Sequence, residues 1–210
     1  LGTDYMDFYW IHNPMDAPKW VTELIPLAKS GKIGKIGLSN HSLAEIKEAA
    51  DILAKEGLKI SAIQNHYSLL NRSSETSGIL DYCKENDITF FSYMVLEQGA
   101  LTGKYDTEHP FPEDSDRGRT YNPMLPKLEK LNKGLEEIAD RHHVATAQIP
   151  VAWVIAKGTL PIIGVTKVYQ VEDAVKAAAV ELSAEEIETL EKLGDETQVN
   201  VIRYWEKEMK

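Results

Sequence analysis

Short runs of aromatic and β-branched residues alternate with helical patterns along almost the whole chain, and no other feature narrows its possible folds so far. Tyr5 to Ile11 (YMDFYWI) reads as a buried strand. Asp16 stands as an N-cap, Pro18 lies in the first turn, and Trp20, Val21, Leu24, Ile25 and Leu27 fall at helical spacing until Gly31. Ile33 to Leu38 is a second strand, and Ser42-Leu-Ala-Glu45 is a capping box opening a helix with Ile46, Ala49, Ala50 and Leu53 on its inner face. Ile60 to Gln64 is a third strand, Thr76 to Asn86 a helix, and Ile88 to Tyr93 (ITFFSY) a fourth strand. A polar, breaker-rich connection follows, with Gly99, Gly103, Pro110, Pro112, Gly118 and Pro123, and reads as a surface loop. Helices are expected from about Pro126 to His142 and from about Ala145 to Lys157, where Pro150 must kink the second helix or shift its start. Leu160 to Ile163 is a fifth strand, followed by helices at about 171–178 and 183–193, the latter opened by the box Ser183-Ala-Glu-Glu186.

Such alternation implies parallel strands joined by right-handed crossovers, in either an open doubly wound sheet or a (β/α)8 TIM barrel. The open form with a dinucleotide site needs a glycine-rich turn straight after a strand, and no G-x-G-x-x-G occurs. Polar residues gather instead after every strand: His12 and Asn13, Ser39 and Asn40, Gln64 and Asn65, Tyr93, and Gly164 to Lys167. Barrel enzymes assemble their sites from several strand ends in this way, so the barrel is the preferred reading. A barrel needs eight strands in about 250 residues, and five are legible here. Five doubly buried strands would leave two apolar edges open to pairing. We therefore expect an α/β fold in which residues 1–210 form a single barrel-like domain, incomplete on its N-terminal side, holding the last five βα units.

Composition excludes several function classes. The 210 residues suffice for one sizeable core but not for two full-sized domains. Asp plus Glu number 33 against 23 Lys plus Arg, a net charge of −10 that disfavours nonspecific nucleic-acid or anionic-membrane partners. One cysteine, Cys83, rules out an intramolecular disulfide or a cysteine-rich zinc module. No metal site is expected: the pair His142-His143 lies late on a polar helix, and no His-x-His ends a strand. There is no transmembrane-length apolar run and no signal-peptide profile, so a soluble cytoplasmic protein is expected.

The polar strand ends carry the chemistry, each beside a plainer alternative. A neutral imidazole at His12 can donate to a substrate carbonyl, or merely cap rim carbonyls. Ser39, Asn40 and Gln64 can together hold a planar amide, or serve ordinary turns. The ring of Tyr93 can stack on a flat ligand, or sit in the core with its hydroxyl wet. Lys167, beside free backbone amides at a helix start, suits a phosphate, although an exposed lysine explains it as well.

Taken in order, DFYWIHNP, KIGKIGLSN, AIQNHYSLLNR, FFSYMVLEQGALTGKY and LPIIGVTK resemble the second part of the aldo-keto reductase family, over Leu1 to about Leu193. The likeness is greatest to bacterial members with a long loop after the seventh barrel strand. It implies a (β/α)8 barrel that reduces aldehydes and ketones with NADPH, less often NADH, by direct hydride transfer. His12 then matches the catalytic histidine that orients the carbonyl. Ser39, Asn40 and Gln64 match residues holding the nicotinamide carboxamide, and Tyr93 the ring stacked on the nicotinamide. Leu96, Gln98, Gly99, Leu101, Gly103 and Lys104 lie where such members wrap the pyrophosphate. Gly164, Thr166, Lys167 and Gln170 fall where the 2′-phosphate is gripped, with Asp173 near the adenine.

Departures qualify these expectations. The family often has a basic residue at position 170 and asparagine at 174, where this chain has Gln170 and Ala174, so the preference for NADPH over NADH is weakened. Met94 and Val95 replace the usual Ser-Pro. Of the family's Asp, Tyr, Lys and His tetrad only His12 is assigned, and loss of the tyrosine acid costs about 10²- to 10⁴-fold in rate. The expectation is therefore a cofactor-binding part that needs absent βα units, from a preceding segment or a second chain, for activity on a small carbonyl substrate. The alternative is a non-catalytic NADP(H)-binding or regulatory protein. Tyr204 and Trp205 in the variable tail either line the substrate pocket or act as packing anchors.

Overall fold

The computed structural model describes residues 2–203, 206 and 209. They form two compact units, the first comprising Leu1–His66, Ser73–Phe91 and Ile202–Lys210, the second Tyr67–Arg72 and Ser92–Val201. The expected contributions of Tyr204 and Trp205 lie outside the described residues. Among the described residues no helix is long and apolar enough to cross a membrane.

In the first unit, strands β1 (Met6–Ile11), β2 (Ile33–Ser39) and β3 (Ile60–His66) pair in parallel, followed by the start of β4 (Thr89–Tyr93), in plain chain order. A doubly wound sheet reverses its order at a switch point; these strands do not. Between them run α1 (Ala17–Lys29), α2 (Leu43–Ala54), the single turn α3 (Ser73–Thr76) and α4 (Ile79–Glu85). The α2 capping box forms as expected: Ser42 Oγ accepts the Glu45 N–H at 3.5 Å, and Glu45 accepts the Ser42 N–H at 2.8 Å. The core comprises Val21, Leu24, Leu38, Ile46, Leu53, Ile60 and Ile63.

Three local expectations change here. β1 is not buried on both faces: Asp7 and Tyr9 are exposed while Phe8 and Trp10 turn inward, as an edge strand with one covered face requires. Phe8 stacks on Trp10 at 4.7 Å, and Trp10 meets Phe91 edge-on at 5.5 Å. These rings fit only because position 37 is glycine; a Cβ there would lie 2.4 Å from Trp10. Asp16 occupies the N-cap position in a left-handed conformation, φ 56°, and its side chain makes no capping bond. The helix expected over 76–86 breaks in two, with Gly78 at φ 80° between the pieces.

The second unit contains the end of β4 beside β5 (Leu160–Pro161), shorter than expected; Ile162 N–H donates to Ser92 O at 2.8 Å. Its helices are α5 (Asp116–Tyr121), α6 (Leu125–His142), α7 (Gln148–Ala156), α8 (Val168–Ala177) and α9 (Ala184–Thr197). Pro150 does not kink α7; the helix starts late, so the proline is its third residue, where no N–H is needed. The breaker-rich connection is more than a surface loop. It folds back so that Phe111 and Tyr121 join Ala100, Leu125, Leu128 and Val201 in a buried cluster. Apolar residues spaced through a polar stretch made that core hard to foresee.

Candidate functional site

Strand register builds the first group. In β1–β2, Ile11 lies opposite Leu38; in β2–β3, Ser39 lies opposite Gln64. His12, Ser39, Asn40 and Gln64 are therefore level at the C-terminal ends of three neighbouring strands. Hydrogen bonds join them. Ser39 Oγ donates to Gln64 Oε1 at 3.3 Å, and Asn40 Nδ2 donates to Ser39 Oγ at 3.3 Å and to the His12 carbonyl at 3.5 Å. Among the described residues Gln64 Nε2 makes no hydrogen bond, so it can donate to a ligand carbonyl. The His12 side chain is exposed. Asn40 adopts φ 63°, and its turn is held from behind by Asn65, which is fully buried. Asn65 Oδ1 accepts the Asn40 N–H at 2.8 Å, and its Nδ2 donates to the His41 carbonyl and to Ser74 Oγ, both at 3.2 Å. His41 Nδ1 donates to the Ser39 carbonyl at 2.8 Å, so it braces the same turn. Asn65 was visible as a polar strand-end residue, but its clamping role was not.

The second unit carries Tyr93, half-buried at the end of β4, and the loop beyond it. This loop is left-handed at Met94 (φ 62°), Glu97 (45°) and Gln98 (54°), and Gly99 and Gly103 also have positive φ. Gln98 and Lys104 are exposed. Leu101 was expected among the residues around the pyrophosphate. Its side chain is 0% exposed and its N–H is taken by the Leu96 carbonyl at 3.3 Å, so it supports the loop from within. Glu97 was not singled out from the sequence, yet its carboxylate is wholly buried and accepts hydrogen bonds from Ser68 Oγ and, at 2.8 Å, from Tyr121 Oη.

At the start of α8 two of the amides expected to be free, those of Thr166 and Lys167, are taken. Gln170 Oε1 accepts the N–H groups of Thr166 and Lys167 at 2.7 and 2.9 Å, and the Thr166 hydroxyl at 3.3 Å. A side-chain amide four residues on can satisfy amides that a local reading counts as open. The Lys167 side chain is exposed, and nothing lies within 4 Å of where a Cβ on Gly164 would stand, so a ligand can approach this main chain closely. Asp173 is half-buried; its carbonyl accepts from Gln148 Nε2 at 3.0 Å. In the first unit the level polar strand ends suit a planar amide; in the second, the uncovered Gly164 and exposed Lys167 leave room and positive charge for a phosphate. Cysteine chemistry does not enter, because burial pushes the Cys83 thiol up to about 12.

Residues 1–195 match the model of the Aldo/keto reductase family. The chain is 32% identical to the aldo-keto reductase yakc, designated NADP(+), of Schizosaccharomyces pombe, with 97% of this chain aligned. It is also 32% identical to the chloroplastic pyridoxal reductase of Arabidopsis thaliana, with 86% aligned. It spans 62% of the length of the first relative and 49% of the second. A thermostable aldo-keto reductase solved with the inhibitor epalrestat superposes with a TM-score of 0.72 at 27% identity, over 91% of this chain and 61% of that one. The glycerol dehydrogenase AKR11B4 of Gluconobacter oxydans superposes with a TM-score of 0.82 at 24% identity, over 96% of this chain and 62% of that one, a likeness of fold. The chain belongs to the aldo/keto reductase family.

Proposed function

We propose that these residues form the cofactor-binding part of an NAD(P)H-dependent reductase of aldehydes or ketones, and that their strands are five of the eight βα units of a (β/α)8 barrel. The observation that carries this reading is the hydrogen-bonded set His12, Asn40, Ser39 and Gln64, level at three consecutive strand ends. Gln64, Ser39 and Asn40 hold the carboxamide of a nicotinamide through paired donors and acceptors. Tyr93 presents an aromatic face for the ring, and the loop through Leu96, Gln98, Gly99, Gly103 and Lys104 surrounds the pyrophosphate. Gly164, Thr166 and Lys167 receive the 2′-phosphate, and Asp173 lies near the adenine. When bound, the reduced nicotinamide supplies a hydride to a carbonyl carbon. His12 donates a hydrogen bond to the carbonyl oxygen, orienting it and stabilising the charge that develops there.

The acid that protonates this oxygen is supplied from outside these 210 residues, by a preceding segment or a second chain, together with the partners that tune it. NADPH is the proposed cofactor. NADH is the alternative, because Gln170 is spent on backbone amides and offers no positive charge to a 2′-phosphate. The test is NADPH oxidation with a generic aldehyde, measured with and without the preceding segment. Turnover is expected only with it. Robust turnover by the 210 residues alone refutes the dependence, and tight NADPH binding without turnover in either form favours a non-catalytic sensor.

A further inference from the structure

The loop after β4 is held in an unfavourable shape by a charge the proposed chemistry does not use. Met94, Glu97 and Gln98 all adopt left-handed backbone conformations within five residues. L-residues with side chains rarely do so unless the surroundings impose it. The Glu97 carboxylate is fully buried, with the Ser68 hydroxyl on one oxygen and the Tyr121 hydroxyl on the other. Ser68 Oγ meanwhile accepts the N–H groups of Leu70 and Asn71 at 3.1 and 3.2 Å, so its one proton is committed to Glu97. The main chain closes around the same point: Glu97 N–H donates to Met94 O and Gly99 N–H to Leu96 O, both at 2.8 Å. Arg117 Nη1 adds a bond to the Gln98 carbonyl at 3.3 Å.

An apolar side chain at 97 would fill the space without the desolvation cost of a buried charge, so packing does not account for a carboxylate there. What a carboxylate provides is a fixed point with two acceptors, tying the loop to the turn after β3 and to α5. We infer that Glu97 is a positioning residue for the cofactor loop: by accepting from Ser68 and Tyr121 it holds the main chain at Gln98 and Gly99 in the shape that receives the pyrophosphate. This rests on the proposed function, since it assigns that loop to a dinucleotide. Glu97 touches neither cofactor nor substrate.

The test compares Glu97→Ala and Glu97→Gln in the full chain by fluorescence titration with NADPH and with adenosine 2′-monophosphate, which lacks the pyrophosphate. With its acceptors gone, Glu97→Ala is expected to bind NADPH about tenfold more weakly, the scale of one to two lost hydrogen bonds, while its affinity for the 2′-phosphate probe is unchanged. Glu97→Gln, which keeps an acceptor and the shape, is expected to recover most of the loss. Unaltered NADPH affinity in Glu97→Ala overturns the inference. So does equal weakening of both probes, which marks a general loss of structure, and so does failure of Glu97→Gln to recover. A wild-type protein that binds neither probe refutes the functional reading itself, which separates the two failures.

Discussion

Replacing Asn65 with alanine removes the clamp behind the turn that carries Asn40, and the cost follows from the bonds it makes. The Asn40 N–H is the cheap loss, because it also reaches the Gln64 carbonyl at 3.0 Å and keeps that acceptor. The expensive losses are the two donations from Nδ2, to the His41 carbonyl and to Ser74 Oγ, both on fully buried residues. A buried acceptor that loses its donor costs about 1–2 kcal/mol, so the pair comes to about 3 kcal/mol. Unfolding entropy scales with length, at about 2 cal/mol/K per residue, and for a chain of 210 residues 3 kcal/mol corresponds to a fall of about 7 °C in melting temperature. Differential scanning calorimetry reads that shift, and urea unfolding should show a lower midpoint with an unchanged slope. NADPH affinity should fall as well, because Asn40 loses the support for its left-handed turn. A melting temperature within about 2 °C of wild type would refute the claim that Asn65 holds this turn.

Three further outcomes are expected. Gly37→Ala puts a Cβ 2.4 Å from Trp10, so the stacked Phe8–Trp10 pair must shift; a loss of about 1–3 kcal/mol should appear in urea unfolding, with altered near-ultraviolet circular dichroism. Burial alone would raise the Glu186 carboxyl, but the Ser183 N–H, His142, the Ser183 hydroxyl and Arg141 together hold it at about 2. A depressed folded value contributes stability that is present above the ordinary carboxylate range and is lost as pH falls from about 4.5 towards 2, so the melting-temperature gap between wild type and Glu186→Gln should close across that window. Lys167→Ala should raise the dissociation constant for NADPH about tenfold while leaving that for NADH nearly unchanged in fluorescence titrations, and equal effects on both would remove Lys167 from the 2′-phosphate site.

The strand–helix alternation, the capping boxes at Ser42 and Ser183 and the polar residues following the strands were all legible, because each depends on residues close in sequence. What escaped depends on partners far along the chain. The Asp16 side chain has the chemistry of a cap, but its left-handed backbone leaves it without a capping bond. The amides before α8 looked open until Gln170 folded back on them. Phe111 and Tyr121 gave no periodic signal, yet they complete a core with Leu125 and Leu128. Glu97 read as an ordinary loop charge, since only the fold brings Ser68 and Tyr121 to it.

The central claim is that these strand ends and this helix start bind a reduced dinucleotide, and residue-resolved NMR titration of the folded protein with NADPH tests it most directly. Saturable shifts are expected at the side-chain amides of Asn40 and Gln64 and along Gln98 to Lys104 and Gly164 to Gln170. A folded protein whose spectrum stays unchanged at saturating NADPH, or responds only around Arg72, Glu188 and Asp195 on the α9 surface, would contradict it.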